Sequence, residues 1–232
     1  MKKMRKNRIL KKWFQIILLL LLTFPKGHVF ASEADQPAFS GWAELKSRYA
    51  ADESTDRLIL VKYLGGSRVK VIMYEKAAGE GTLKWRKLLS CRGFCGKNGL
   101  NKEQEGDVKT PTGVFYITEG FGIRENPGLK DLRYTVIDES CYWSGEYDTY
   151  NTLVRSDHPI AGEHLIECSP QYNYALNIGY NPQNIYKKGS GIFLHCTGPR
   201  SYTMGCIAVS EENMIRIMQN TTDKTLVCIY PK

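Results

Sequence analysis

The segment GSGIFLHCTGPRSYTMGCIAVSEENM carries the two side chains best suited to nucleophilic chemistry. His195 closes an apolar, strand-like run, and Cys206 follows eleven residues later, directly behind Gly205. A thiolate is a strong nucleophile, and a neighbouring imidazole can take the thiol proton and return it to a leaving group. Gly205 removes a side chain beside the thiol, so backbone N–H groups there are candidates to hold an oxyanion. The intervening TGPRS reads as a turn. If 192–197 and 204–209 are antiparallel strands around a 198–203 loop, His195 faces Cys206 across the ladder. Opposed Cβ atoms then lie about 4.5–5.5 Å apart. A bulge would shift that register. The plain alternative is a buried cysteine that only packs a strand. Of the histidines beyond residue 31 (His158, His164 and His195), only His195 sits at a strand end within one hairpin of a candidate cysteine.

A mainly β scaffold is expected to position this pair. From Arg57 onward the chain reads as short branched or aromatic runs broken by Gly and Pro: RLILVKYL, SRVKVIMYEK, TLKWRKLLS, GVFYITEGF, RYTVID, YNYALNIGY, SGIFLHC, GCIAVS and TLVCIY. SEENMIRIMQN departs from that texture. Ser210 is a good N-cap, Glu211 and Glu212 suit a helix start, and Met214, Ile215, Ile217 and Met218 form an apolar stripe. This predicts a helix packed on the sheet immediately after the cysteine strand. Residues 32–56 are polar with a weak helical pattern in GWAELKSRYAA, which reads as a linker or docking helix.

The net charge of +8 does not point to nucleic acid. Eight of the 32 basic residues fall within positions 1–31, a stretch free of Asp and Glu; the remaining 24 balance 24 acidic residues. A neutral body exerts no large pull on a polyanion. The basic stretch, the apolar run WFQIILLLLLTF and the small residues of VFA-S together read as a secretory signal cleaved after Ala31. An uncleaved anchor through residues 13–24 is the alternative, and the only membrane association expected. Export makes the seven cysteines relevant, because full pairing of an odd number leaves one free thiol. Cys91 and Cys95 lack a second Cys or His pair at zinc-site spacing, so no metal is expected.

In order, these segments resemble the L,D-transpeptidase catalytic domain, also called the YkuD domain. FLHCTGPRSYTMGCIAV carries the His, loop and Gly-Cys of its signature through His195, Thr203, Gly205 and Cys206. GKNGLNKEQEGDVKTPTGVFYI contains the KTPxG turn at Lys109, Thr110, Pro111 and Gly113. FGIRENPGL, CYWSGEYDTYN, GEHL and YALNIGYN are similar to one branch of the family. Residues 57–232 are thus read as the catalytic domain, behind a 1–31 signal and a 32–56 linker. The implied fold is mainly β, a YkuD-like sandwich or mixed sheet with a short helix after the cysteine strand.

The resemblance also implies the reaction. Cys206 attacks the carbonyl of the third residue of a peptidoglycan stem tetrapeptide, terminal D-alanine leaves with a proton from His195, and a neighbouring stem amine resolves the thioester into a 3–3 cross-link. Water in place of the amine makes an L,D-carboxypeptidase. No metal or organic cofactor is implied. By the same resemblance Cys196 orients His195 through its backbone, Thr203 belongs to the signature and is read as contacting substrate, and Tyr134, Tyr150, Asn151 and His164 line the substrate cleft. Arg200, on the loop, is read as meeting a stem carboxylate, and Gly205 as serving the oxyanion through its backbone. Two departures stand out: Met204 occupies the position where the main signature has His, and Ala208 one where many members carry Arg or Asn. They motivate an alternative, a wall-binding module that has lost activity. A disulfide-rich structural domain with Cys206 paired is a third reading.

Overall fold

The strands of the chain roll into a closed sheet because several of them bury both faces. In the computed structural model, residue 36, residues 38–79 and residues 82–231 are described. The proposed signal and its cleavage point lie outside these residues. The strands are β1 (Arg57–Gly65), β2 (Arg68–Gly79), β3 (Thr82–Phe94), β4 (Gly113–Gly122), β5 (Tyr134–Val136), β6 (Cys141–Ser144), β7 (Leu153–Arg155), β8 (Gly162–His164), β9 (Ala175–Ile178), β10 (Phe193–Cys196), β11 (Ile207–Val209) and β12 (Thr225–Tyr230). The helices are α1 (Trp42–Ala50) and α2 (Glu211–Asn220). The large sheet runs β12-β1-β2-β3-β11-β10-β9-β4-β5, and an additional β12–β4 pairing closes it into a barrel. A second sheet, β7-β6-β8, stands beside it. The fold is therefore mainly β, as the strand-and-turn texture implies.

Alternation along β1 and β12 explains the closure. Ile59, Val61, Val227 and Ile229 join the cluster inside the barrel. Leu58, Leu60, Leu226, Cys228 and Tyr230 form the outer cluster that α1 covers through Leu45. Strands buried on both faces read as continuous apolar runs, which is why RLILV and TLVCIY show no polar alternation. Phe39 stacks on Tyr230 at 4.5 Å between ring centroids, and Trp85 Nε1 donates to Lys46 O at 2.7 Å, tying the α1 region down.

Helix α2 begins where its cap dictates. Ser210 Oγ accepts the Asn213 N–H, satisfying one of the free donors of the first turn. Met214, Ile217 and Met218 enter the barrel cluster and Ile215 packs at its margin. The stripe is core, and truncating Met214 to Ala would cost roughly 2–5 kcal/mol.

One expected pairing is corrected. β10 and β11 run parallel, not as an antiparallel hairpin, with Leu194 opposite Ile207, His195 opposite Ala208 and Cys196 opposite Val209. Residues 197–206 carry the chain back to the starting end of β10. Thr203 anchors this return: its N–H donates to Cys95 O at 2.9 Å and its carbonyl accepts the Lys97 N–H at 3.0 Å. Those bonds to the end of β3 hold the connection out of hairpin geometry.

Candidate active site

The parallel register still puts His195 and Cys206 on one face. Leu194, Cys196, Ile207 and Val209 point into the barrel cluster. Phe193 and Cys206 belong instead to the second cluster, under the small sheet. His195 lies two residues after Phe193, and Cys206 two before Ala208, so the pair are diagonal neighbours on this face. Ala208, directly beside His195, is small enough to leave the space between them open. Both residues line a cavity of about 510 Å³ together with Thr203, Met204, Gly205 and Ala208.

The thiol is held in a defined resting position. Cys206 Sγ donates to Gly191 O at 3.1 Å and accepts the Phe193 N–H at 3.3 Å. Burial pushes the thiol up to about 12, with the Glu163 carboxylate adding to the effect and the Phe193 N–H opposing it. His195 Nδ1 lies 2.7 Å from Cys196 O, and since a carbonyl only accepts, Nδ1 carries the proton. Nε2 has no protein partner among the described residues. Burial lowers the imidazole to about 4, against that hydrogen bond. The resting pair is therefore a neutral thiol and a neutral imidazole with a free basic nitrogen.

The turn before the cysteine is braced from below. Gly205 has φ +152°, and a Cβ there would meet Lys109 O at 3.0 Å and Ile192 Cδ1 at 3.1 Å. Thr203 Oγ1 donates to Cys206 O at 2.6 Å and accepts the Gly205 N–H at 3.1 Å. Thr110 Oγ1, from the KTPTG turn, donates to Gly205 O at 2.7 Å and accepts the Gly96 N–H at 2.8 Å. The Gly205 amide is thus committed to Thr203, and an oxyanion would have to displace that bond to use it.

The other sequence candidates fall into two groups. Arg200 and Tyr150 line the cavity. The Arg200 guanidinium sits 5.8 Å from the Tyr202 ring centroid. Tyr150 donates to Glu105 Oε2 and accepts the Gly189 N–H at 3.2 Å. Asn151 acts one layer behind: its Oδ1 accepts Trp143 Nε1–H at 3.2 Å and the Gly191 N–H at 3.0 Å, fixing the residue whose carbonyl holds the thiol. Two others lie apart from the cavity. Tyr134 packs against the barrel cluster and donates to Arg124 O at 2.7 Å, because β5 sits at the sheet edge beyond β4. His164 stacks on Tyr142 at 4.4 Å and faces Glu139 O and Glu167. Neither lines the cavity.

Three cavity residues carried no signal in the sequence. Glu163, on β8, accepts from Tyr172 Oη at 2.6 Å. The Tyr172 ring meets His195 edge-on at 5.5 Å. Cys168 also lines the cavity, its thiol pushed up to about 11 by burial. Only the fold of β8 and of the 165–174 segment onto this face brings them here; the GEHL string was the nearest hint. All seven cysteines are free thiols, which does not favour a paired Cys206. Among the described residues no three His, Cys, Asp or Glu side chains converge to hold a metal ion.

Comparison with known proteins gives the family. Three solved structures are similar. The helical cell shape determining protein Pgp2 from Campylobacter jejuni aligns at 19% identity over 82% of this chain and 55% of that one, with TM-score 0.43. A mutant of an Enterococcus faecium L,D-transpeptidase aligns at 16% identity over 75% and 50%, with TM-score 0.34. The Ldtfm-avibactam carbamoyl enzyme aligns at 16% identity over 76% and 49%, with TM-score 0.35. The chain spans about half the length of these structures. No curated protein sequence matches significantly. The sequence profile of the YkuD L,D-transpeptidase catalytic domain matches residues 77–229, from β2 to β12 and across both His195 and Cys206, and the chain belongs to that family.

Proposed function

We propose that this protein is an exported cysteine L,D-transpeptidase acting on peptidoglycan stem tetrapeptides. The observation that carries the reading is the shared cavity of Cys206 and His195, with the imidazole neutral, its Nδ1 anchored on Cys196 O and its Nε2 free. A neutral imidazole is the form that can accept the thiol proton. Substrate entry displaces the thiol from Gly191 O; Sγ attacks the third-residue carbonyl as its proton passes to His195 Nε2. The imidazolium then protonates the departing D-alanine amine, leaving a thioester on Cys206. Attack by a neighbouring stem amine forms the cross-link and frees the thiol.

In this reading Cys206 is the nucleophile and His195 the base and acid. Cys196 orients His195 through its carbonyl, and Thr203 positions Gly205 and the carbonyl of Cys206. Arg200 and Tyr150, on the cavity wall, contact the stem. The 57–232 unit is the catalytic domain, and residues 1–31 direct export, either as a cleaved signal or as an anchor through 13–24. The peptidoglycan substrate of the family supports work outside the cytoplasmic membrane.

Incubation with disaccharide-tetrapeptide followed by mass analysis tests the reading. Cross-linked dimers lacking one D-alanine are the expected products. Tripeptide alone would make the enzyme a carboxypeptidase, and unchanged tetrapeptide would support the inactive wall-binding module.

A further inference from the structure

The cavity that holds the thiol also holds a carboxylate with no cation to balance it. Glu163 is exposed to the cavity, receives one hydrogen bond, from Tyr172 Oη, and has no basic partner among the described residues. The other charged groups of the cavity are engaged elsewhere. Lys102 Nζ is bound to Asp107 Oδ1 at 2.9 Å. Glu105 accepts from Tyr150 and from Ser190 Oγ. Lys187 and Arg200 lie over the rings of Tyr186 and Tyr202. The partial desolvation of Glu163, opposed by Tyr172 and reinforced by Glu105, raises its carboxyl above the ordinary value. Its charge reaches the Cys206 sulfur, where it disfavours the thiolate.

An uncompensated carboxylate beside a nucleophilic thiol hinders the first half of an acyl transfer, so a use in the second half is indicated. We propose that Glu163 receives the ammonium group of the acceptor and takes its proton, making the amine that attacks the Cys206 thioester. The step rests on the transpeptidase reading above. An alkylammonium, with an ordinary pKa near ~10.4, cannot attack until it loses a proton, and a paired carboxylate offsets its desolvation on entry. The amine nitrogen forms the C–N bond, the C–S bond breaks with its electrons on sulfur, and the second amine proton passes through His195 to the thiolate. The proton on Glu163 returns to water. Tyr172 ties the two halves together, since its hydroxyl holds Glu163 while its ring packs on His195.

The test measures partitioning of the acyl-enzyme in the full-length protein. Disaccharide-tetrapeptide is the donor and Nα-acetyl-lysine the amine probe, with amide and tripeptide products counted by mass spectrometry. Glu163→Gln is expected to release D-alanine at least as fast as wild type, because the charge that disfavours the Cys206 thiolate is gone, which also shows the variant folded, while the amide-to-tripeptide ratio falls at least tenfold. Glu163→Asp, keeping the charge, should recover part of the ratio. An unchanged ratio in Glu163→Gln, or a wild-type enzyme that only hydrolyses its donor, overturns the proposal and leaves the acyl-enzyme chemistry standing. A wild-type protein that releases no D-alanine overturns the transpeptidase reading, and this step with it.

Discussion

Alkylation of Cys206 by iodoacetamide should report the neutral resting pair directly. The thiol stands at about 12 and the imidazole at about 4. At pH 7 five pH units separate the solution from the thiol, so the thiolate fraction is about one in 10⁵. An ordinary thiol at 9.0 gives one in a hundred. Moving the proton from Cys206 to His195 before substrate enters spans eight units, roughly 11 kcal/mol. Attraction between the resulting charges returns about 4 kcal/mol at ~4 Å and an effective dielectric of ~20. The ion pair thus lies about 7 kcal/mol uphill, and the proton moves only as the carbonyl is attacked. Site-resolved peptide mapping, which separates Cys206 from the other six cysteines, should show alkylation near pH 7 about a thousandfold slower than at an ordinary thiol. The rate should climb about tenfold per pH unit from 7 to 11. His195→Ala should change the rate at pH 7 by less than about threefold, because no ion pair is lost. A rate plateau between pH 5 and 8 that disappears in His195→Ala would refute the reasoning, since it is the signature of a preformed thiolate–imidazolium pair.

Further outcomes follow from the same contacts. The unfolded chain protonates His195 near 6.5 while the native state resists until about 4, so the associated stability is complete above pH 6.5 and is lost as pH falls toward 4. The loss should reach about 3 kcal/mol, read as the difference between wild type and His195→Asn in chemical denaturation; identical pH dependence in the two would contradict it. Thr203→Val strands the Gly205 N–H and removes a donor from Cys206 O, so denaturant melts should show a loss of about 1–3 kcal/mol along with slower acylation. Gly205→Ala, at φ +152° and against Lys109 O, should cost about 1–3 kcal/mol by the same measurement. Met204 is 61% exposed, so Met204→His should change the unfolding free energy from denaturant melts by no more than ~0.5 kcal/mol, as expected of a surface change.

Much of the scaffold was legible because its residues answer to local rules. The β runs from Arg57 to Tyr230 and the Ser210-capped helix rest on branching, alternation and capping, and each appears where those rules put it. The barrel closure was not legible, since the β12–β4 pairing joins segments more than a hundred residues apart. The β10–β11 direction was misread for a related reason. A turn-like TGPRS looks like a hairpin loop, and only the bonds of Thr203 to Cys95 and Lys97 reveal a return crossing. His195 and Cys206 were found from residue type and spacing, and they share a cavity by a parallel diagonal rather than the opposed pair expected. Tyr134 and His164 were drawn in by resemblance but are occupied with packing and local hydrogen bonds. Glu163 and Tyr172 were missed because their role depends on how β8 and the 165–174 segment fold over β10, which no local pattern encodes.

The most direct measurement of the central claim is intact mass after exposure to a carbapenem, a class that acylates enzymes resembling this one. The folded wild-type protein should gain the mass of one carbapenem, and Cys206→Ala none. An unmodified wild-type mass under conditions where the protein is folded, or an equal adduct on Cys206→Ala, would contradict Cys206 as the nucleophile.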